Sequence, residues 1–295
     1  RHDNHPALTD AEAALGESRW TRQLVEEQQD DGGWSRFHSA DSRLRHRFGT
    51  TEQAVEQALA VGLTINHAVL RKAARYLERL LEQAIDFPDP GERNDRWPAG
   101  RELFVAATLA DIDPANPLLE PIYARWAAIA ERTFGSGRYN ADDELAAHVD
   151  LTGATTMRDS YLVLNNKYAV GLLGHAQGRL PDSTERGYLD WLLALPGLRY
   201  VGVPAGRPLR SVEPGHTAGW IRTHLLLSRY RSWPELARPQ MTDLASRNDG
   251  EGLWDLGRES RLRISEHWRR RVNRKIDSSV FVLLLLKAWV GGRGG

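Results

Sequence analysis

His216 and His224 stand eight residues apart with Trp220 between them, so on a helix the three share one face. Glu213 lies in the same stretch and adds a carboxylate. Two helical turns separate the histidines, about 12 Å along the axis. That is too far for one ion, and the pattern names no metal site. A polar and aromatic wall of His216, Trp220, Thr223 and His224 is the reading kept, as a ligand-binding surface. A second polar group interrupts an otherwise apolar run, Asp159-Ser160-Tyr161 followed by Asn165-Asn166-Lys167-Tyr168. Asp159, Tyr161, Asn165 and Lys167 are ligand-binding candidates there, because a buried amide or amine needs partners that a cavity would supply. The same residues also read as two short helices with Asn165-Asn166 in the turn, and both readings stand.

The segment from Arg258 to Lys275 is locally basic. It carries Arg258, Arg261, Arg263, Arg269, Arg270, Arg271, Arg274 and Lys275 against Glu259 and Glu266, with Trp268 interleaved. Trp268 and Arg269 are the candidate contacts of this segment, since cations beside an aromatic ring suit a phosphate, a diphosphate head group or nucleic acid. A solvated loop paired with acidic neighbours has the same composition. No glycine-rich phosphate loop, nucleophile elbow or zinc-protease signature occurs.

Composition narrows the classes. Formal net charge is zero over 295 residues, so nothing global asks for nucleic acid or an acidic membrane. Apolar content of 41% is ample for a core. The chain has no cysteine, which excludes a disulfide scaffold and any thiolate site. Val280 to Leu286, the longest apolar run, is too short to span a bilayer. No charged-then-apolar segment opens the chain, and a soluble, cytoplasmic protein is expected. Nothing in composition or spacing names a cofactor or an oligomeric state. The ten tryptophans either line a cavity or pack repeat units against one another.

The elements that must position these residues read as helices. Asn66 to Ile85 carries Val69, Ala73, Leu77, Leu80, Leu81 and Ala84 on one face. Thr9 to Glu27 opens with a capping signal, Thr9-Asp10-Ala11-Glu12. Leu118 to Phe134 is another one-sided run. Arg101 to Leu109, Thr156 to Leu173 and His216 to Arg229 are apolar on most sides. Asp277-Ser278-Ser279 reads as the cap of a helix to Val290. Leu198 to Val203 is the only stretch that reads as a short strand or extended loop. Turn-forming clusters separate the runs, among them Asp86 to Gly91, Gly135-Ser136-Gly137 and Pro204 to Pro208. None is long enough for an interdomain linker. One all-α domain over residues 1–295, built of about five helical hairpins, is expected.

One spacing occurs twice, Leu24-x3-Gln28-x3-Gly32-x-Trp34 and Leu244-x3-Asn248-x3-Gly252-x-Trp254. A repeated frame points to repeated structural units. The leucine faces a core, the amide serves groups freed at a helix end, the Asp-Gly pair turns the chain, and the indole folds back over the turn.

This frame resembles the QW repeat of the squalene-cyclase and protein-prenyltransferase superfamily, in which an aliphatic residue, Gln and Gly-x-Trp close a helical hairpin. The match covers Leu24, Gln28, Gly32 and Trp34. Gln23 stands where the motif has an aromatic, and Asn248 replaces Gln in the second copy. The resemblance implies an α/α toroid, an inner ring of helices around a cavity with an outer ring behind it. It also implies a cavity suited to an apolar, isoprenoid-like small molecule. Class II cyclases of that superfamily protonate an alkene or epoxide with the middle Asp of Asp-x-Asp-Asp. Asn140-Ala141-Asp142-Asp143 is the nearest stretch here, with Asp142 in the acid's place and Asp143 beside it as catalytic candidates. The same stretch also reads as a capped, acidic helix start after the Gly135-Ser136-Gly137 loop, and that reading is the favoured one. The prenyltransferases bind zinc through Asp, Cys and His, a set this chain cannot reproduce. The resemblance therefore implies a ligand class and leaves catalysis open. Two other readings remain. One is a carbohydrate-active (α/α) barrel, with tryptophan platforms and carboxylates drawn from Asp30, Asp31, Asp142, Asp143, Asp249 and Asp255. The other is a non-catalytic helical-repeat scaffold with the basic segment as its contact surface.

Overall fold

A computed structural model of the chain describes residues 18–39, 47–155, 160–260, 262 and 264–292. These hold α1 (Arg19–Glu27), α2 (Thr51–Ala60), α3 (Ala68–Leu81), α4 (Trp97–Ile112), α5 (Glu120–Thr133) and α6 (Ala141–Thr152). There follow α7 (Lys167–His175), α8 (Asp182–Ala194), α9 (Thr217–Leu227), α10 (Trp233–Leu236), α11 (Arg238–Ala245) and α12 (Arg271–Gly291). The described residues form no strand, only isolated bridges at Arg36–Thr50 and Asn166–Arg199. The all-α expectation holds.

Backbone contacts group the described residues into two compact units. One takes those up to 93 with 104–118, the other 94–103 with 119 onward, so α4 contributes to both. In the first unit α2 packs on α1 and on α3. Its core holds Leu24, Trp34, Phe37, Leu70, Leu77 and Phe104. Buried Asp89 takes the N–H groups of Phe37, His38 and Ser39 and pins that loop. In the second unit α5 packs on α6, α7 on α9, and α9, α10 and α11 on α12. Three more buried carboxylates hold loops in the same way. Glu144 takes the N–H of Leu164, Glu185 that of Ser232, and Asp277 those of Ile264 and Ser265.

The two repeated frames fold alike. Trp34 Nε1 donates to the Leu24 carbonyl at 3.0 Å, and Trp254 Nε1 donates to the Leu244 carbonyl at 2.8 Å. The Trp34 N–H meets Thr51 Oγ1 and the Trp254 N–H meets Ser279 Oγ, both at 2.9 Å. Gln29 N–H bonds Gly33 O, as Asp249 N–H bonds Leu253 O. Each indole thus donates to a carbonyl near a helix end, that of Leu244 also accepting the Arg247 N–H, and each turn is fastened to a later helix. Gly32 (φ 107°) and Gly252 (φ 78°) supply the left-handed backbone. At Gly32 a Cβ would also lie 2.4 Å from the Lys72 carbonyl oxygen. The amides differ. Gln28 Nε2 reaches the carbonyls of Gly32 and Val69, whereas the shorter Asn248 donates back to the Ala245 carbonyl and accepts the Gly250 N–H.

Several boundaries depart from the sequence reading. Asp277, Ser278 and Ser279 do not start a helix. α12 begins six residues earlier, and these side chains are buried inside it, where Asp277 holds the 264–265 loop and Ser279 holds Trp254. The run from Thr156 to Leu173 is not one helix. Asn166 caps α7 by accepting the Tyr168 N–H at 3.0 Å and ties back to the Tyr161 carbonyl. Leu198 to Val203 is a turn, with Tyr200 at φ 72° and the Val201 and Gly202 N–H groups both on Leu198 O. The Thr9–Glu12 signal lies outside the described residues. Asn140 does cap α6, its Oδ1 accepting from Asp142 N–H at 2.9 Å and Asp143 N–H at 3.3 Å. Asn140→Ala is expected to lower stability by about 1 kcal/mol in urea unfolding, and an unchanged midpoint would remove the cap's role.

Candidate functional site

Asp142 and Asp143 lie in the first turn of α6, Asp142 exposed and Asp143 half-exposed. A proton-donating carboxyl needs a dry enclosure, and Asp142 has none. That enclosure occurs further along the same helix, at Glu144 and His148, one turn apart. Glu144 is 3% exposed and His148 0%. Glu144 Oε1 accepts the Leu164 N–H at 2.6 Å, and Oε2 accepts the Tyr139 hydroxyl at 2.7 Å. Burial, opposed by these two bonds, raises the Glu144 carboxyl above its usual range. Burial also pushes His148 down to about 4. The imidazole is therefore neutral at pH 7, and its Nε2, 4.0 Å from Glu144 Oε1, makes a polar contact rather than an ion pair.

Rings surround this pair. Trp126 of α5 meets the His148 imidazole edge-on at 5.3 Å. Tyr139 stacks on Trp191 at 4.1 Å, and Phe134 packs against Tyr139, Tyr188 and Trp191 at 5.7–6.0 Å. Neither ring nitrogen of His148 has a hydrogen-bond partner among the described residues. A fully buried imidazole without hydrogen-bond partners is uncommon. The motif-based reading passes over this pair. Its sequence signal is Glu144-x3-His148, an acid and an imidazole at the i, i+4 spacing of one helix face.

The other predicted residues are placed as follows. His224 is buried, and its two nitrogens are both occupied. Nε2 donates to the Ala205 carbonyl at 3.0 Å and Nδ1 accepts the Trp233 indole N–H at 3.2 Å. Trp220 is buried beside it, donating to the Arg207 carbonyl at 2.9 Å. Both serve the 205–207 loop. His216 sits exposed at the start of α9, 3.7 Å from Glu213, so it shares no wall with His224. Tyr161 is buried beside Asn94, Arg96 and Trp97. Asn165 is half-exposed, and its carbonyl accepts the Arg199 N–H. Lys167 places its ammonium 4.5 Å from the centre of the Tyr168 ring. Asp159 lies outside the described residues.

The basic segment is partly neutralised by the second repeated turn. Arg271 and Arg274 pair with Asp255, and Lys275 pairs with Asp249 and Glu251. Arg269 is exposed, its guanidinium 5.5 Å from the half-buried Trp268 ring. Arg261 and Arg263 lie outside the described residues. A depression of about 430 Å³ lined by Arg210, Arg238, Pro239, Thr242, Asp243 and Ser246 is open to solvent, unlike an enclosure for an apolar molecule. Among the described residues no group of three or more metal-ligating side chains converges.

No model of a known protein family, no curated protein and no solved structure matches this chain. The likeness to QW repeats therefore rests on the two turns and the helical content alone.

Proposed function

We propose that the chain is a helical-hairpin protein of the squalene-cyclase and prenyltransferase kind, a single α/α toroid over residues 1–295, that holds an apolar, isoprenoid-like molecule. The observation that carries the ligand is the Glu144–His148 pair, a buried imidazole with two unpartnered nitrogens among aromatic rings. Rings of this kind suit an apolar chain, and the imidazole with the neighbouring carboxyl suits one polar terminus. Proton transfer, if the ligand is turned over, belongs to Glu144, whose raised affinity for protons fits a general acid.

Native mass spectrometry of the purified protein tests this reading. An apolar molecule should co-purify with the wild type and be lost from His148→Phe, which keeps the ring and removes the nitrogens. A wild type that is bare, and whose tryptophan fluorescence is unmoved by farnesol, would sink the proposal.

A non-catalytic repeat scaffold is the second reading. Its support is that His224, Trp220 and Asn166, the polar groups placed where a cavity wall was expected, are bonded to the protein's own backbone. The carbohydrate reading has less behind it. Asp31 accepts the Gly33 N–H within its turn, and Asp249 and Asp255 are engaged with Lys275, Arg271 and Arg274.

A further inference from the structure

The last helix carries a feature that the ligand site does not use. α12 is 21 residues long, about 31 Å by helix rise. Its inner side buries Asp277, Ser278, Ser279, Val282 and Leu285. Its outer side presents Val272, Ile276, Val280, Leu283, Leu284 and Val290, each between 39% and 68% exposed. At about 100° per residue these six fall within one arc of about 120°, opposite the buried face. An apolar ridge of that width, interrupted by Lys287 near its end, is a docking surface rather than scattered exposure.

The charges on the ridge decide what it fits. Asp277 is the only acid in α12, and it is buried against Ile264 and Ser265. Lys287 is exposed and falls in the middle of the apolar arc. Arg269 and Arg270 are exposed immediately before the helix, beside Trp268. Lys287, Arg269 and Arg270 have no ion pair with any described residue, whereas Arg271, Arg274 and Lys275 are held by Asp255, Asp249 and Glu251. The face is thus apolar along its length and cationic at its start and near its end. A second copy of this chain would set one acid-free cationic face against another. The complement of this face is an apolar layer under a sheet of negative charge.

We infer that α12, with Trp268, Arg269 and Arg270, docks lengthwise on an anionic lipid bilayer. The helix would lie in the interface, its six apolar side chains among the upper acyl chains and its cations among the head groups. Trp268 would sit at the head-group level, where indoles are favoured. No helix among the described residues is long and apolar enough to cross a membrane, so this is attachment to one leaflet. The overall neutrality of the chain does not oppose it, because attraction to charged lipid falls off within a Debye length and is set by local charge.

Vesicle co-sedimentation tests the inference without reference to the ligand site. The wild type should pellet with vesicles of equal parts phosphatidylcholine and phosphatidylglycerol, and not with phosphatidylcholine alone. Leu283→Asp should weaken binding at least tenfold, and Arg269→Ala with Arg270→Ala about fivefold per charge. Helix content by circular dichroism should stay unchanged, since all three side chains face solvent. Failure of the wild type to bind anionic vesicles would overturn the proposal. So would Leu283→Asp binding as well as wild type, or a dimer in sedimentation velocity that Leu283→Asp dissolves while vesicle binding persists.

Discussion

Trp34→Ala is expected to lower the stability of the chain by about 3–5 kcal/mol, the range for deleting a fully buried large aromatic side chain. Trp34 is 1% exposed, and three things end with its removal. Its ring volume leaves a cavity beside Leu24, which is itself fully buried. The Leu24 carbonyl, near the end of α1, loses the indole donor at 3.0 Å and is left buried without it. The turn held by Gly32 then loses the lid that fixes its conformation. Trp34→Phe separates these terms. It keeps most of the packing and removes the donor, for an expected loss of about 1–3 kcal/mol. Because Trp254 repeats the geometry, with 5% exposure and the Leu244 carbonyl at 2.8 Å, Trp254→Ala should fall in the same range. Urea unfolding followed by far-ultraviolet circular dichroism reads both. A loss at Trp34 with none at Trp254 would show that the two turns are alike in geometry only.

Acid should destabilise the fold through two buried histidines. Burial lowers both His148 and His224 to about 4 from an ordinary value of 6.5. In His224 the bond to the Ala205 carbonyl works against that shift without reversing it. A group with a lowered folded-state value stays neutral in the fold while the unfolded chain takes up a proton. The stability is therefore fully present above about pH 6.5 and is lost as pH falls to about 4. Each histidine accounts for about 3 kcal/mol over that window. Glu144 acts in the opposite direction, because its raised affinity favours the fold as it protonates. His224 is the cleaner reporter, since its neighbours are Ala205, Trp220 and Trp233 rather than a carboxylate. His224→Phe should be less stable at neutral pH, from the lost bonds, yet should show a flatter decline on acidification. Urea midpoints across the window measure this. A wild-type midpoint that does not move between about pH 6.5 and pH 4 would remove the argument.

Much of the architecture is legible in particular residues. The one-sided spacing of Val69, Ala73, Leu77 and Leu80 places α3, and all four are buried. Asn140 is readable as a cap because a short amide just before an acidic first turn can accept that turn's N–H groups. Trp34 and Trp254 are readable as lids because both carry the same frame. Other residues mislead for a common reason. Asp277, Ser278 and Ser279 have the composition of a cap, but their side chains bond groups elsewhere in the chain. His216 and His224 have the spacing of one face, but the first stands at an exposed helix start and the second is buried within α9, its ring bonded to the Ala205 carbonyl.

By itself the sequence determined the helical class, the turns at Gly32 and Gly252, the absence of thiol chemistry and the presence of a basic, aromatic segment before the last helix. These follow from local periodicity, backbone freedom and composition, which need no distant partner. Only the tertiary structure decided which polar residues are enclosed and which apolar ones are not. Glu144 and His148 become a candidate site because α5, the 160–166 loop and their aromatic neighbours close over them. Val272, Ile276, Leu283 and Leu284 become a surface because α12 buries its other side. Burial is a property of what packs against a residue, and no window of neighbouring letters contains it.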